Sequence, residues 1–241
     1  MKKFNIILPI FNQEKNIKKN LILLEQKLKK LNCTYKLILV DDKSTDNSLK
    51  IIKKFKKKNI IILSNKKNMG KGYSIKYAFS KIDTNCFVVI WDSDLPYFDR
   101  INLIIKALEK SNFQFVSINR KLIKSKIFYK EYSLYAFLRI LIGYIFNFFS
   151  RILFSITCRD TQAGLKGFEG SLVKHFKKII NNGFLFDLEM FIILKKLNFK
   201  PKYISCNYTV NRKSSIKIFN VIFMIKVFFE FIKIYKFYKL K

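Results

Sequence analysis

The sequence predicts an α/β protein in which helices flank a mostly parallel sheet. Two observations favour this class: short apolar runs alternate with longer segments of helical period, and most of those runs end in polar clusters rather than hairpin turns. With 241 residues, the chain can bury a sizeable core as one domain, with or without an appendage. Open sheets of this kind bind ligands outside the carboxyl ends of their strands, so the polar clusters are the expected functional regions.

Five apolar runs are predicted to form the strands of this sheet. They cover residues 4–8, 36–40, 60–63, 87–91 and 113–118. The segments between them carry apolar residues at helical spacing, which is typical of amphipathic helices that cover a sheet. Those residues are Ile17, Leu21, Leu24 and Leu28, then Leu49, Ile52 and Phe55, and later Ile101, Ile104, Ile105 and Leu108.

The composition changes after about residue 126, where a long apolar segment begins. Residues 134–157 are interrupted by Arg139, Asn147 and Arg151. A membrane-spanning helix needs about 20 nearly uninterrupted apolar residues, and a charge near its centre is costly. We therefore predict that residues 127–158 form an apolar segment that lies in or against a membrane surface.

The last part of the chain mixes Phe and Ile with regularly spaced Lys. This pattern predicts a basic amphipathic helix over 216–241 with lysines that reach out of an apolar interface. Lys226, Glu230 and Lys233 are expected to share one face of it. A terminal helix docked on the protein core is the alternative. The predicted organisation is a main domain over 1–215 followed by this helix.

The charge balance restricts the classes of protein. The chain carries 48 Lys and Arg against 16 Asp and Glu, a net charge of +32, yet half of its residues are hydrophobic. A disordered basic tail is excluded, because such tails lack the apolar surface needed to offset the entropy of ordering. Only six of the basic residues are Arg, so much of the lysine excess fits compositional drift. The resulting field still favours anionic partners: nucleic acid, acidic lipid headgroups or phosphorylated substrates.

Cysteine usage and the N-terminus indicate a cytoplasmic protein. The four Cys lie far apart and only one His is present, which argues against a zinc site or a disulfide framework. The first apolar run contains Asn5 and Pro9 and has no small-residue cleavage site, so it predicts a buried strand rather than a signal peptide.

Two carboxylates follow the strand at 87–91 directly. Asp92 and Asp94 flank Ser93, so both side chains can turn towards one ion. Oxygen ligands of this sort suit Mg²⁺ or Mn²⁺ and leave positions free for substrate phosphates. The two residues are the candidate metal ligands.

Two further clusters follow neighbouring strands. Asp41 and Asp42 end the strand at 36–40, where an acceptor could meet a base N–H or a ribose hydroxyl; residues 44–46 are expected to cap the next helix. Lys71 stands between two glycines ahead of a helical segment, a setting suited to a phosphate.

Read in order, these clusters resemble family 2 glycosyltransferases of the GT-A type. The first two motifs of that family are matched by Pro9, Asn12 and Glu14, and by Asp41, Asp42, Ser44, Thr45 and Asp46, with Gln13 and Lys43 as departures. The branch of dolichyl-phosphate glucose and mannose synthases and their bacterial polyprenyl-phosphate relatives is the closer match. Its marks are N-x-G-K-G at 68–72, D-x-D at Asp92 and Asp94, D-T-Q-x-G-x-K-x-F at 160–168 and F-D-x-E at 186–189. The ordered set covers roughly residues 4 to 217.

The resemblance implies an inverting transfer of a sugar from a UDP- or GDP-sugar to a polyprenyl phosphate on the cytoplasmic face of a membrane. Asp92 and Asp94 would hold Mg²⁺ or Mn²⁺, and Asp94, Asp160 and Arg120 are the catalytic candidates, with Asp160 orienting or modestly activating the acceptor. The donor-binding candidates are Pro9, Asn12, Glu14, Asp41, Asp42, Lys71 and Asp92. The candidates for the acceptor and its phosphate are Gln162, Lys166, Arg139, Arg151, Arg212 and Lys217.

Three other interpretations stay open at the level of sequence. A related transferase would use a glycan or another lipid as acceptor. A basic nucleic-acid-binding protein would explain the charge but not the ordered acidic clusters, so nucleic acid is not the expected partner. A non-catalytic scaffold on a membrane surface would explain the apolar segments alone.

Overall fold

The computed structural model describes residues 3–31, 33–110, 113–129, 134–210 and 221–239. Its strands are β1 (Lys3–Ile10), β2 (Thr34–Asp41), β3 (Ile60–Ser64), β4 (Phe87–Trp91), β5 (Phe115–Ile118), β6 (Lys126–Tyr129), β7 (Leu165–Glu169), β8 (Lys202–Ile204) and β9 (Asn207–Val210). Its α-helices are α1 (Glu14–Lys30), α2 (Ser48–Lys53), α3 (Lys71–Phe79), α4 (Ile101–Glu109), α5 (Leu134–Phe154), α6 (Val173–Phe176), α7 (Phe186–Lys196) and α8 (Val221–Lys239). Short 3-10 turns precede α4 and α6.

A seven-stranded sheet forms the centre of the molecule, in the order β3-β2-β1-β4-β7-β5-β8. The neighbouring pairs are parallel except for the two that involve β7, which runs antiparallel between β4 and β5. All five predicted strands are present, and the mostly parallel sheet is confirmed. A small second sheet pairs β6 with β9.

The core lies in two layers on opposite faces of the sheet, because successive residues of a strand point to opposite sides. Ile6 and Leu8 pack in the layer that contains the apolar stripes of α1 and α4. Ile7 packs in the other layer, with residues of α3 and α7. The helical stripe predicted for α1 is buried completely.

The carboxyl ends of β1, β2, β3 and β4 meet at one edge of the sheet because these strands are parallel. The loops that follow them therefore converge there, and α1, α2 and α3 begin at that edge. The segments after β5 and before β7 join the same region, because β7 lies between β4 and β5 and runs antiparallel to both. This edge is the candidate site.

The two longest apolar helices partly cover the core. No helix among the described residues is both long and apolar enough to cross a bilayer. In α8, Ile234 is almost completely buried, and Phe231 packs its ring on Phe146 and Phe154 of α5. The helix is thus docked on the core along one face, the alternative considered from the sequence, while its other face is exposed. The spacing of Lys226, Glu230 and Lys233 places all three on one side of α8, and Glu230, which is half-buried, also accepts a hydrogen bond from Asn181.

Candidate active site

The D-x-D turn is fixed against the segment that precedes β7. The Asp92 backbone N–H donates to the Gly164 carbonyl over 2.9 Å. A Cβ atom at position 164 would collide with the Asp92 carboxylate, so a side chain there would displace that carboxylate. Asp94 reaches solvent, and its partial desolvation together with the charge of Asp92 raises its pKa. The repulsion between two neighbouring carboxylates is relieved by a cation that binds between them.

Lys71 connects the D-x-D turn to a buried carboxylate. Its Nζ atom lies 2.8 Å from Asp92 and 2.8 Å from Asp187. Burial lowers the pKa of Lys71, but the charges of Asp187 and Asp92 outweigh it and raise the pKa above its usual value. The lysine is therefore a fixed cation next to the candidate metal ligands.

Lys166 occupies a different place from the one predicted. Its side chain is 1% exposed, and its Nζ atom forms an ion pair of 2.8 Å with Asp187 and a further hydrogen bond to the Ala163 carbonyl. Lys166 was expected to bind the acceptor phosphate, but its buried side chain disagrees with that role. The residue instead neutralises Asp187 inside the core, in a chain of alternating charges that runs from Lys166 through Asp187 and Lys71 to Asp92.

Asp42 organises the N-x-G-K-G turn. One carboxylate oxygen accepts hydrogen bonds from the Met69 N–H and from the Asn65 side chain, and the other accepts from the Gly70 N–H. Gly70 has a φ of +95°, in the left-handed region that favours glycine. The predicted contact of Asp42 with a donor base stays a prediction, and the structure adds its role in shaping the loop that carries Lys71.

The loops after β1 and β2 are tied to each other by their side chains. The Asn12 Oδ1 atom accepts from the Thr45 N–H, and the Glu14 carboxylate accepts from the Asn47 backbone and side chain. Asp46 accepts from the N–H groups of Glu14 and Ser48, where α1 and α2 begin. Of the three predicted capping residues, Asp46 alone bonds the start of α2.

The remaining donor-binding candidates lie at the same edge. Asp41 is buried and accepts from the Ser44 N–H and the Ser64 hydroxyl. Pro9 pairs with Val40 near the end of β1. The structure therefore brings all the donor-binding candidates to one edge of the sheet, and their contacts with a donor stay predictions.

Arg120 and Asp160 form a bidentate ion pair beyond the D-x-D turn. The Arg120 Nε and backbone N–H donate to one carboxylate oxygen over 2.7 and 2.8 Å, and a terminal guanidinium nitrogen donates to the other over 2.5 Å. The guanidinium also stacks 5.1 Å from the centre of the Tyr208 ring. Arg120 is thus held in one orientation, with 23% of its side chain still exposed.

The environment of Asp160 suits positioning rather than proton transfer. The residue is completely buried. Burial raises the pKa of its carboxyl, but the charge and hydrogen bonds of Arg120 outweigh this and lower the pKa. A general base works best with a pKa near the working pH. Direct activation of an acceptor by Asp160 therefore disagrees with the geometry, and its carboxylate instead orients Arg120.

The two residues after Asp160 contain polar atoms without partners. The Thr161 hydroxyl and the Gln162 side-chain nitrogen are buried and make no hydrogen bond with described residues. Buried polar groups are normally paired, so orphaned atoms mark places where a ligand or water completes the bonding. These atoms support the predicted acceptor-binding role of Gln162, which no contact tests.

The other acceptor candidates are more scattered. Arg151 is exposed in the last turn of α5, where it lines a cavity of about 390 Å³ with Arg159. Arg139 lies on α5, and its side chain is outside the described part of the structure. Arg212 and Lys217 lie outside the described residues.

The carboxylates present fit a divalent cation. No group of three or more His, Cys, Asp or Glu that could enclose a metal occurs in the described part of the chain. Mg²⁺ usually binds through one or two carboxylates and completes its shell with substrate phosphates and water. Asp92 and Asp94 supply such a pair. The absence of a side chain at Gly164 leaves the space that the Asp92 carboxylate occupies.

A Rossmann-like sheet with a D-x-D turn at its carboxyl edge defines the class of nucleotide-sugar-dependent transferases with a GT-A fold. The model of the family described as glycosyl transferase family 2 matches residues 5–175. The chain belongs to this family, and its identification as an enzyme is confirmed.

Curated relatives and solved structures agree with this assignment. The chain is 27% identical over 219 residues to a dolichyl-phosphate beta-glucosyltransferase of Dictyostelium discoideum, and the match covers 85% of this chain but only 66% of that protein. It is 26% identical to a dolichyl-phosphate beta-glucosyltransferase of Trichomonas vaginalis, over 98% of this chain and 74% of that one. Glucosyl-3-phosphoglycerate synthase of Mycobacterium tuberculosis, crystallised with Mn²⁺, UDP and phosphoglyceric acid, has a TM-score of 0.62 at 15% identity over 90% of this chain and 72% of that one. The last similarity supports the fold alone.

Two residues, Asp187 and Tyr208, have contacts in the site that the sequence does not indicate. The F-D-x-E motif contains Asp187, but it does not show that the Asp187 carboxylate binds both Lys71 and Lys166. Tyr208 was not considered, although its ring supports Arg120. The motif was the available signal for Asp187, whereas nothing in the local sequence marks Tyr208.

Proposed function

We propose that this protein transfers a sugar from a nucleotide-sugar donor to a polyprenyl phosphate, with inversion at the anomeric carbon, at a membrane surface. The observation that carries the proposal is the placement of Asp92, Asp94 and Lys71 at one end of the site and of the oriented Arg120 beyond them. The named activity of the relatives in Dictyostelium and Trichomonas supports the same acceptor class.

The donor diphosphate would lie against the D-x-D turn and the N-terminus of α3. A Mg²⁺ or Mn²⁺ ion held by Asp92 and Asp94 would offset the charge that develops on the leaving diphosphate. Lys71 is already fixed between Asp92 and Asp187, so its ammonium adds positive charge without a large rearrangement. The backbone at the start of α3 provides further N–H donors.

The acceptor phosphate would meet Arg120 from the exposed side of the guanidinium. Asp160 holds Arg120 from the buried side and leaves an edge for phosphate oxygens. An oxygen of the anionic acceptor attacks the anomeric carbon, the bond from that carbon to the diphosphate oxygen breaks, and the nucleoside diphosphate leaves with the electron pair. The acceptor is already ionised near neutral pH, so no strong general base is needed.

The exposed apolar faces of α5 and α8 would lie on the membrane. In α5 the exposed large side chains recur along one face. They are Phe137, Leu141, Tyr144, Ile145, Phe148, Phe149 and Ile152. In α8, Phe228 and Phe229 are 62% and 64% exposed, next to exposed lysines. Such a surface suits the interface of an anionic bilayer.

The membrane contact is tested by sedimentation with vesicles of anionic phospholipid. The double variant F228S/F229S should leave most of the protein in the supernatant, and K236Q should reduce binding only slightly. Equal binding of F228S/F229S and wild type would remove α8 from the proposed interface.

The function is tested by incubating the protein with Mn²⁺, polyprenyl phosphate and a panel of labelled UDP- and GDP-sugars. One donor should label the lipid phase, and Asp92→Asn should abolish the labelling while Asp99→Asn should not. A sugar-phosphate linkage is labile in mild acid, so a stable product would indicate a glycan or another lipid as acceptor. The absence of label with every donor would refute the proposal.

A further inference from the structure

The inward face of α8 makes two polar contacts, one with α7 and one with the loop that precedes α7. The Tyr238 hydroxyl donates to the Glu189 carboxylate over 2.8 Å. Glu230 accepts from the Asn181 side-chain amide over 3.0 Å. Ile234 is buried between them along the helix, so these contacts belong to a packed interface.

Glu189 carries this contact into the loop at 180–183. The residue is completely buried, and its carboxylate accepts from the N–H groups of Ile180 and Asn181 over 3.2 and 2.7 Å. The Asn181 side chain also accepts from the Gly183 N–H over 2.7 Å. The shape of the loop is therefore set by one buried carboxylate, which α8 caps from outside.

The same loop closes on the N-x-G-K-G turn. The Tyr73 N–H donates to the Asn182 carbonyl over 3.0 Å. A Cβ atom at Gly70 would lie 2.5 Å from that carbonyl oxygen, and one at Gly72 would lie 2.8 Å from the Asn181 carbonyl oxygen. Both glycines of the turn are thus required by contact with the loop. Lys71, which stands between them, is the lysine that binds Asp92 and Asp187.

We propose that Glu189 and Asn181, braced by α8, are positioning residues for the diphosphate end of the donor site. This inference rests on the proposed function, since it assigns the turn around Lys71 to the donor diphosphate. The contacts form one continuous path from the Tyr238 hydroxyl through Glu189 and the loop to Lys71. Loosening the outer end should therefore weaken diphosphate binding, although Tyr238 touches no part of the site.

The test compares Tyr238→Phe with Tyr235→Phe in the full-length chain. The first substitution removes the hydroxyl that donates to Glu189. The second removes a hydroxyl from the same helix, on a ring that packs against Phe154. Titration calorimetry with Mn²⁺ measures the affinity for UDP and for GDP, and for uridine and guanosine, which lack the diphosphate.

Tyr238→Phe should weaken binding of the preferred nucleoside diphosphate about fivefold or more, within the range typical of coupling between sites. Binding of the matching nucleoside should stay unchanged, and Tyr235→Phe should behave like wild type. If Tyr238 only stabilised the fold, Tyr238→Phe would lower the melting temperature but would not weaken diphosphate binding more than nucleoside binding. Equal diphosphate affinity in Tyr238→Phe and wild type, or an equal loss for nucleoside and diphosphate, would overturn the inference and leave the proposed function standing. Failure of wild type to bind either diphosphate would overturn both.

Discussion

Replacing Asp187 with Asn tests the buried chain of charges at the centre of the site. The Asp187 side chain is 1% exposed and binds Lys166, itself 1% exposed, and Lys71. Burial raises the pKa of Asp187, but the two lysines outweigh it and lower the pKa, so the residue is a carboxylate at neutral pH. The substitution keeps the shape and removes the charge.

The loss of stability in Asp187→Asn depends on which lysine is left without a countercharge. Lys71 keeps Asp92 as a second partner, but among the described residues Lys166 keeps only its hydrogen bond to the Ala163 carbonyl. Removing one member of a buried ion pair typically costs about 3–5 kcal/mol, because the other charge is left unpaired. For a chain of this size, each kcal/mol lowers the melting temperature by about 2–4 °C. We therefore expect a decrease of roughly 10 °C.

Urea denaturation followed by circular dichroism measures this cost. Asp99→Asn is the control, because the Asp99 side chain is 71% exposed and its contact with Arg100 lies at the surface. Exposed ion pairs contribute about 0–1 kcal/mol.

A double variant shows whether the loss of stability comes from the unpaired charge or from altered packing. The double substitution D187L/K166M removes both charges together and should recover much of the lost stability, as apolar replacements of buried ion pairs often do. A loss below about 1 kcal/mol in Asp187→Asn, or no recovery in the double variant, would refute the assignment of Lys166 to a structural ion pair.

Three further predictions concern the neighbouring residues. Arg120→Lys keeps the charge but loses the bidentate contact with Asp160, so kcat/KM for the acceptor should fall roughly 100-fold in a steady-state assay, with the affinity for the preferred nucleoside diphosphate unchanged. Gly164→Ala should displace the Asp92 carboxylate and weaken Mn²⁺-dependent nucleotide binding about 10- to 100-fold by calorimetry, whereas Gly143→Ala, which has open space around it, should not. The stability that Asp160 contributes should be present above its unfolded pKa of about 3.9 and should be lost as the pH falls through its lowered folded pKa, so the cost of Asp160→Asn in urea denaturation should shrink below about pH 4.

Each of these predictions has a contrary outcome. An Arg120→Lys enzyme with normal kcat/KM would separate Arg120 from the acceptor. Wild-type Mn²⁺-dependent binding in Gly164→Ala would remove the steric argument for the D-x-D turn. A cost of Asp160→Asn that stays constant from pH 7 to pH 3 would show that the Asp160 charge does not stabilise the fold.

The strands and the edge that carries the site could be predicted from the sequence, because both depend on local pattern. Apolar runs give the parallel strands, and the polar residues that follow them necessarily meet at one edge. The position of β7 could not be predicted, because its antiparallel pairing with β4 and β5 joins segments that are distant in the chain. The same limit applies to Lys166: its charge suggested a phosphate ligand, and only the fold brings Asp187 to it.

Helical periodicity likewise does not show which long-range partner a side chain contacts. A helical projection places Glu230 with Lys226 and Lys233, but only the structure shows that Glu230 also contacts Asn181 in a distant loop. The glycines at 70 and 72 were interpreted as room for a phosphate, and the contacts with Asn181 and Asn182 give them a second reason. The motifs thus predict where the site lies. Which of its residues have a structural role depends on long-range contacts that only the fold shows.

The most direct test of the proposed activity is a reconstituted reaction with purified protein, Mn²⁺, the donor selected from the panel and a pure polyprenyl phosphate. One mole of nucleoside diphosphate should be released for each mole of mild-acid-labile glycolipid formed, and both products should be absent for Asp92→Asn. Release of nucleoside diphosphate without glycolipid, or glycolipid formation that survives the loss of Asp92, would contradict the proposed activity.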